Sequence, residues 1–113
     1  MTLNEYLNEG REDRIVPIGR RLYLNSPNPR ITCKDGYNIS VQCSNTAYCK
    51  PEKLLHDVAY YTSFELGFPS ESDELINEYA EDENYTDTVY PYVPRRVVEA
   101  LIEKHGGIEH ADT

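Results

Sequence analysis

The stretch ITCKDGYNISVQC, residues 31–43, decides the fold. Two runs of strand-forming residues, Ile31–Cys33 and Tyr37–Cys43, flank Lys34-Asp35-Gly36. Asp-Gly between two such runs is the strongest short signal for a β-hairpin. In the second run, alternate residues share one apolar face, namely Tyr37, Ile39, Val41 and Cys43. We therefore predict a hairpin with one face turned toward a core.

Further strand patterns lie on both sides of this hairpin. Ile15–Ile18 is short and apolar around a proline, which suits an edge strand, and Arg21–Asn25 alternates. Val58–Leu66 alternates over its whole length and predicts one long strand. Thr88–Val93 also alternates, and Pro91 favours an edge position for it.

Helix signals stand at the two ends of the chain. Thr2 and Glu5 have the spacing of a capping box, and Gly10 supplies the left-handed position that ends a first helix. A last helix begins after Pro94, and His105-Gly106-Gly107 provides its C-cap. Its buried stripe consists of Val97, Val98, Leu101 and Ile102.

This order of elements predicts an α+β fold, in which two or three helices pack on a largely antiparallel sheet of four to five strands. The chain has 113 residues, enough for one modest core. We therefore expect residues 1–113 to form a single domain. No apolar run approaches the roughly 18 residues of a membrane span, so we expect no membrane insertion.

Charge is segregated along the chain. Residues 54–94 carry ten carboxylates and no Lys or Arg, a formal charge of −10, whereas the other 72 residues sum to +1. Eight of the ten lie within seventeen residues, at Glu71, Asp73, Glu74, Glu78, Glu81, Asp82, Glu83 and Asp87. The net charge of −9 repels nucleic acids and anionic lipid and attracts basic protein surfaces. We therefore expect no direct contact with nucleic acid and a basic protein as partner.

The acidic residues fit a third, amphipathic helix from Ser70 or Ser72 to about Asp82. At 100° per residue, one face gathers Glu71, Glu74, Glu78 and Glu81, and the opposite face gathers Leu75, Ile76, Tyr79 and Ala80. Carboxylates at this spacing have roots about 5–6 Å apart, near the roughly 7 Å between successive phosphates. Such a face can imitate a nucleic-acid strand. The alternative is a face that only keeps the protein in solution.

Three cysteines, with one histidine, raise the question of zinc. Cys33, Cys43, Cys49 and His56 are suitable ligand types, but gaps of nine, five and six residues contain no close ligand pair. We therefore interpret the cysteines as small core residues and predict no metal site there. An odd number of cysteines and an N-terminus without signal-peptide layout predict a cytoplasmic protein.

Calcium is a second candidate metal, because Asp82, Asn84, Thr86 and Asp87 alternate oxygen ligands. The EF-hand pattern fails. Asp87 stands where that loop requires Gly, and Val93 stands where it requires the final Glu. We predict neither a metal nor any other cofactor.

Catalytic motifs are not evident. None of His56, His105 and His110 lies in a recognisable arrangement with a nucleophile. Glu74 and Glu78 could exchange protons, but acid and base roles need separate environments that an exposed acidic face lacks. We therefore expect that the protein is not an enzyme.

In size, acidity and tyrosine content the chain resembles small phage-encoded inhibitors of bacterial defence, the anti-CRISPR and anti-restriction proteins that mimic DNA. The resemblance implies a stoichiometric inhibitor that fills a Lys/Arg-lined DNA channel or motif-reading pocket, such as the pocket in which RNA-guided nucleases use arginines. The implied partner-binding residues are Glu71, Asp73, Glu74, Glu78, Glu81, Asp82, Glu83, Tyr85 and Asp87. Tyr79, Tyr90 and Tyr92 would add contact area.

An alternative function is that of a phage structural or assembly accessory protein. Sheet edges and tyrosines would then form an oligomer, and the acids would only solubilise it. A monomer that binds a basic partner at low salt favours the inhibitor, whereas a salt-insensitive oligomer favours the assembly protein.

Overall fold

Two antiparallel sheets and three α-helices make up the fold, which a computed structural model describes for residues 1–109. The helices are α1 Leu3–Asn8, α2 Arg11–Arg14 and α3 Arg95–Lys104. The strands are β1 Ile15–Ile18, β2 Arg21–Leu24, β3 Ile31–Thr32, β4 Asn38–Gln42, β5 Ser63–Gly67 and β6 Val89–Pro94. The predicted α+β class is confirmed. Within residues 1–109, no helix is long and apolar enough to cross a bilayer.

The larger sheet has the order β3-β4-β5-β6, and the smaller one pairs β1 with β2. Neighbouring strands pair with Ile31 opposite Ile39, Val41 opposite Leu66 and Phe64 opposite Val93. The strand β6 lies at one end of the larger sheet, as its proline predicts. The irregular register between Phe64 and Leu66 marks a bulge beside it.

The predicted hairpin at residues 31–43 is confirmed. Its turn closes through a 2.7 Å hydrogen bond from Cys33 N to Tyr37 O, and Gly36 has φ +96°. Asp35 stabilises the turn, because its Oδ1 accepts a 2.9 Å hydrogen bond from Tyr37 N. The alternating face is buried as expected, with exposed fractions of 0–3% at Tyr37, Ile39, Val41 and Cys43.

All three cysteines are buried and form no disulfide, which confirms their interpretation as core residues. Burial raises the pKa of Cys33 and of Cys43 to about 11, so both stay protonated thiols at neutral pH. His56 is exposed, and its Nδ1 lies 2.6 Å from Glu12 Oε1. It therefore pairs with a surface carboxylate.

The capping box of α1 is also confirmed. Glu5 N donates to Thr2 Oγ1 at 3.1 Å, and Thr2 N donates to Glu5 Oε1 at 2.8 Å. Gly10 adopts φ +71° directly after Glu9, the C-cap of α1. The charged residues Arg11–Arg14 then form the short helix α2.

The strand predicted over Val58–Leu66 is wrong in its first half. Asp57 Oδ1 accepts from Ala59 N at 2.9 Å and starts a 3₁₀ turn over Val58–Tyr60, so only Ser63–Gly67 pairs as a strand. Tyr60 is 73% exposed, and Tyr61 is buried.

Arg11 is 1% exposed, although it carries a permanent charge. Its Nε donates to Leu55 O at 2.8 Å, and its Nη2 donates to Cys43 O and Tyr61 Oη at 3.1 Å each. The Tyr61 hydroxyl also accepts from Leu55 N at 2.8 Å and donates to Lys53 O at 2.5 Å. This network, centred on Arg11 and Tyr61, ties residues 53–55 to the end of β4.

Candidate protein-binding surface

The predicted binding residues lie in one excursion between β5 and β6. It is closed at its base by a 3.0 Å hydrogen bond from Phe68 N to Thr88 O. Seven of its carboxylates are exposed, at Glu71, Glu74, Glu78, Glu81, Asp82, Glu83 and Asp87. We call residues 71–87 the acidic segment. None of the ion pairs in residues 1–109 involves any of these seven side chains.

The amphipathic α-helix predicted over residues 70–82 does not form. The backbone turns with i to i+3 hydrogen bonds, from Ile76 N to Asp73 O at 3.1 Å and from Ala80 N to Asn77 O at 3.2 Å, and only Asn77–Tyr79 is a 3₁₀ helix. Glutamates along one helical face would also repel each other without a nearby cation. The regular spacing that would imitate successive phosphates is therefore absent.

Asp73 lies in the interior and not on the binding surface, where the sequence had placed it. It is 5% exposed. Its Oδ1 accepts from Leu75 N at 2.9 Å and Lys104 Nζ at 3.1 Å, and its Oδ2 lies 2.8 Å from His105 Nε2. An Asp side chain that bonds the amide two residues ahead competes with helix formation, which is one reason why the predicted helix fails.

Several contacts fix the rest of the acidic segment. Ile76 is completely buried, and Ser70 N, directly before the segment, donates to Asn38 O at 2.8 Å. Glu81 N donates to Val89 O at 3.1 Å along the outer side of β6. The exposed carboxylates therefore extend from a backbone that is bonded to the sheet at several points.

The tyrosines contribute less to this surface than the sequence suggested. Tyr90 is buried, and its hydroxyl donates to the carbonyl of the half-buried Tyr85 at 2.5 Å. Tyr92 is 39% exposed, but it hydrogen-bonds to Glu52 and its ring lies 6.0 Å from that of Tyr48, outside the segment.

Phe68 is the aromatic residue that the sequence did not single out. It stands at the base of the acidic segment, is 47% exposed and has φ +50°. A bulky residue with positive φ is unusual and is maintained only when its surroundings determine it. Here Phe68 O accepts from Arg30 Nη2 at 2.6 Å, and Thr88 O accepts from Phe68 N at 3.0 Å. Phe68 thus adds an apolar contact beside the carboxylates.

A buried histidine anchors the start of the acidic segment. His105 Nδ1 lies 2.6 Å from Asp35 Oδ2, its Nε2 lies 2.8 Å from Asp73 Oδ2, and its ring stacks on Tyr37 at 3.9 Å. Burial lowers the pKa of His105, but hydrogen bonds to the two carboxylates outweigh it and raise this pKa above its ordinary value. A protonated ring donates from both nitrogens. The cluster therefore joins the hairpin turn, α3 and the acidic segment through one imidazolium.

The pKa values of the two carboxyl groups in this cluster are lowered, whereas that of His105 is raised. The backbone hydrogen bond from Tyr37, together with that from His105, lowers the pKa of Asp35. Burial raises the pKa of Asp73, but hydrogen bonds from Leu75, His105 and Lys104 lower it overall. All three charged forms are therefore favoured together.

The cluster predicts a pH dependence of stability. Because the pKa of His105 is higher in the folded than in the unfolded protein, its protonation stabilises the fold fully below the unfolded pKa of about 6.5, and this contribution is lost as the pH rises through the folded pKa. The lowered pKa values of the two Asp residues stabilise the fold above about pH 4. We expect the melting temperature to be higher near pH 5.5 than near pH 7.5, and His105→Gln to flatten this difference. A His105→Gln variant with the wild-type slope would contradict the assignment. Staying below about pH 8 avoids ionisation of unfolded thiols.

Metal-binding geometry is not formed by the described part of the chain. In residues 1–109, no three His, Cys, Asp or Glu side chains are grouped to hold an ion. Asp82 Oδ1 accepts from Asn84 N at 2.8 Å and so serves a local turn. His110 lies outside the described residues.

The sequence offered one signal for the buried cluster. His105 follows Leu101 by four residues and Ile102 by three, so it continues the apolar stripe of α3. A titratable side chain on a buried stripe requires polar partners. The identity of those partners, one from a hairpin turn and one from a distant loop, was not visible in any local pattern.

Comparisons of the chain with protein-family models, curated proteins and solved structures found no match.

Proposed function

We propose that the protein is a non-enzymatic inhibitor that binds a basic nucleic-acid-handling protein, such as a CRISPR nuclease, through the acidic segment. One observation carries the proposal: seven exposed carboxylates extend from a backbone fixed to the sheet, and none takes part in a described ion pair. A backbone that is already held in place loses less conformational entropy on binding than a flexible backbone does. The arrangement therefore suits a partner that supplies the missing cations.

The shape of the segment changes the expected mode of binding. Without the predicted helix, the carboxylates do not follow the regular spacing of phosphates along a strand. They form an irregular cluster with Phe68 at its base. We propose that this cluster fills a basic pocket that reads or grips nucleic acid. Its binding residues are Glu71, Glu74, Glu78, Glu81, Asp82, Glu83, Asp87, the half-buried Tyr85 and Phe68.

This function would place the protein in the cytoplasm, and in that of the bacterial host if a phage encodes it. The net charge of −9 supports the choice of a basic protein over nucleic acid or anionic lipid.

The experiment is a DNA-cleavage assay with a guide-loaded type II CRISPR nuclease, to which the purified protein is added before the target DNA. We expect saturable inhibition near equal stoichiometry that weakens as salt is raised from about 50 mM to about 500 mM, because screening shortens the reach of exposed charges. An uninhibited reaction at both salt concentrations would contradict the proposal for this class of nuclease.

The assembly alternative placed its contacts on sheet edges and tyrosines. Both outer edges of the larger sheet carry hydrogen bonds to other segments, from Glu109 N to Thr32 O at 2.8 Å on β3 and from Glu81 N to Val89 O at 3.1 Å on β6. These bonds occupy positions that a further strand would need. They favour the inhibitor over assembly by strand addition.

A further inference from the structure

The hairpin β1–β2 is the least covered element of the fold. Seven of its eight strand residues are apolar or aromatic, yet none of the eight is buried. Ile18 is 63% exposed and Leu22 is 40% exposed. Apolar residues lie on both faces, because directly opposed residues share a face and Val16 pairs with Tyr23 while Pro17 pairs with Leu22. Such a surface typically marks a contact with another molecule.

Strand addition to this hairpin is blocked on both edges. Asn25 N donates to Arg14 O at 2.8 Å, so the alternation of antiparallel pairing turns the Pro17 nitrogen to the outer edge of β1, where it cannot donate. On the outer edge of β2, Leu22 O already accepts from Asn45 Nδ2 at 3.1 Å. The hairpin is therefore suited to contact through its faces and tip.

The positive charge around the hairpin indicates which kind of surface its faces and tip would bind. Residues 14–34 contain five cations and no carboxylate. Arg14 and Arg30 hydrogen-bond within the fold, to Asn28 Oδ1 and to Asn38 Oδ1. The side chains of Arg20 and Arg21 stand at the exposed tip and make no hydrogen bond or ion pair within residues 1–109. The tip thus presents two arginines beside two exposed aliphatic side chains.

The complementary surface is present on the same chain. The acidic segment has seven exposed carboxylates with the exposed Phe68 at its base, and none of its hydrogen bonds or ion pairs within residues 1–109 reaches the hairpin of its own chain. A second copy therefore offers the hairpin both opposite charge and an apolar contact.

We propose that the hairpin Ile15–Leu24 docks on the acidic segment of a second copy of this chain. Arg20 and Arg21 pair with carboxylates there, and Ile18 and Leu22 pack beside Phe68. The contact joins two different surfaces, so it is made twice in a closed two-fold pair or propagates in an open chain. The proposed contact requires only copies of this chain. A basic partner and a second copy would compete for the same segment.

Sedimentation velocity over a wide range of protein concentration tests the proposal. We expect the wild type to associate at about 50 mM salt and much less at about 500 mM. Arg20→Glu/Arg21→Glu and Glu81→Lys/Asp82→Lys/Glu83→Lys should each weaken association about tenfold or more. Lys34→Glu/Arg96→Glu, which reverses two exposed cations elsewhere, should associate as the wild type does.

The decisive experiment mixes the arginine-reversed variant with the carboxylate-reversed variant. Each alone places like charges against each other, but together the arginine tip of one meets the carboxylates of the other, so association should return. Circular dichroism and urea unfolding establish that each variant is folded. A wild type that stays monomeric at low salt, or a mixture that stays monomeric, would overturn the proposal.

The same variants separate this inference from the proposed function. Arg20→Glu/Arg21→Glu should lose self-association and still inhibit the nuclease, because its acidic segment is unchanged. If inhibition fails for every variant while the charge-swapped mixture associates, self-association stands and the proposed function falls.

Discussion

Replacing Arg11 by Ala should lower the free energy of unfolding by about 3 kcal/mol or more, since it leaves several buried acceptors without a donor. The buried guanidinium donates hydrogen bonds to Leu55 O, Cys43 O and the Tyr61 hydroxyl. Arg11→Lys should also destabilise, because one ammonium cannot reproduce the planar fork of donors. Urea unfolding near neutral pH measures both changes.

Two further variants separate the causes of this loss. Arg11→Met keeps much of the side-chain volume but donates no hydrogen bond, so it should recover only part of the stability that Ala loses. Arg96→Ala, at an exposed position on α3, should change stability by less than about 0.5 kcal/mol. An Arg11→Met variant as stable as the wild type would show that the hydrogen bonds contribute nothing net.

Replacing Asp73 by Asn should cost about 3 kcal/mol of stability near pH 6, because a buried ion pair loses one partner. The Asn oxygen can still accept from Leu75 N and Lys104 Nζ, which share Oδ1 of Asp73, but the Asn amide nitrogen takes the place of Oδ2 and presents a donor to His105 Nε2. The penalty should shrink above the raised pKa of His105, where the neutral ring can accept a hydrogen bond.

Glu74→Gln is the matched control for Asp73→Asn, because it removes one negative charge from the adjacent, exposed carboxylate. Its effect on unfolding should stay within about 0.5 kcal/mol. Asp73→Asn should bind the proposed partner as well as the wild type does, as long as it is folded. Equal stability of the two variants would contradict the interior role of Asp73.

The hairpin at residues 31–43 could be predicted because its signals are local. An Asp-Gly turn and a period-two pattern leave few alternatives, and the buried face followed directly from them. The capping box at Thr2 and the edge position of β6 were predictable for the same reason, since each depends on residues within a few positions of one another.

The position of the acidic segment could be predicted from the sequence, but its backbone conformation could not. Its apolar residues have helical spacing, and Ile76 is indeed buried. The decisive competitor was Asp73, whose side chain is drawn into the core by His105, 32 residues further along the chain. Helical periodicity does not register such a contact, so the helix was predicted and the turn was not.

Buried charge was missed for a related reason. Arg11 continues the spacing of Leu3 and Leu7, and His105 continues the stripe of α3, but neither side chain was predicted to be buried. Their partners are carbonyls and carboxylates from distant loops. Only the fold brings these groups together, whereas the charge of the acidic segment was evident from composition.

The most direct test of the account compares two triple charge reversals in the nuclease-cleavage assay. Glu81→Lys/Asp82→Lys/Glu83→Lys alters the acidic segment, and Asp13→Lys/Glu103→Lys/Glu109→Lys makes the same change in net charge at exposed positions elsewhere. We expect the first variant to need about tenfold more protein or more for half-inhibition and the second to remain within about twofold of the wild type. Equal inhibition by the two folded variants would contradict the claim that the acidic segment is the binding surface.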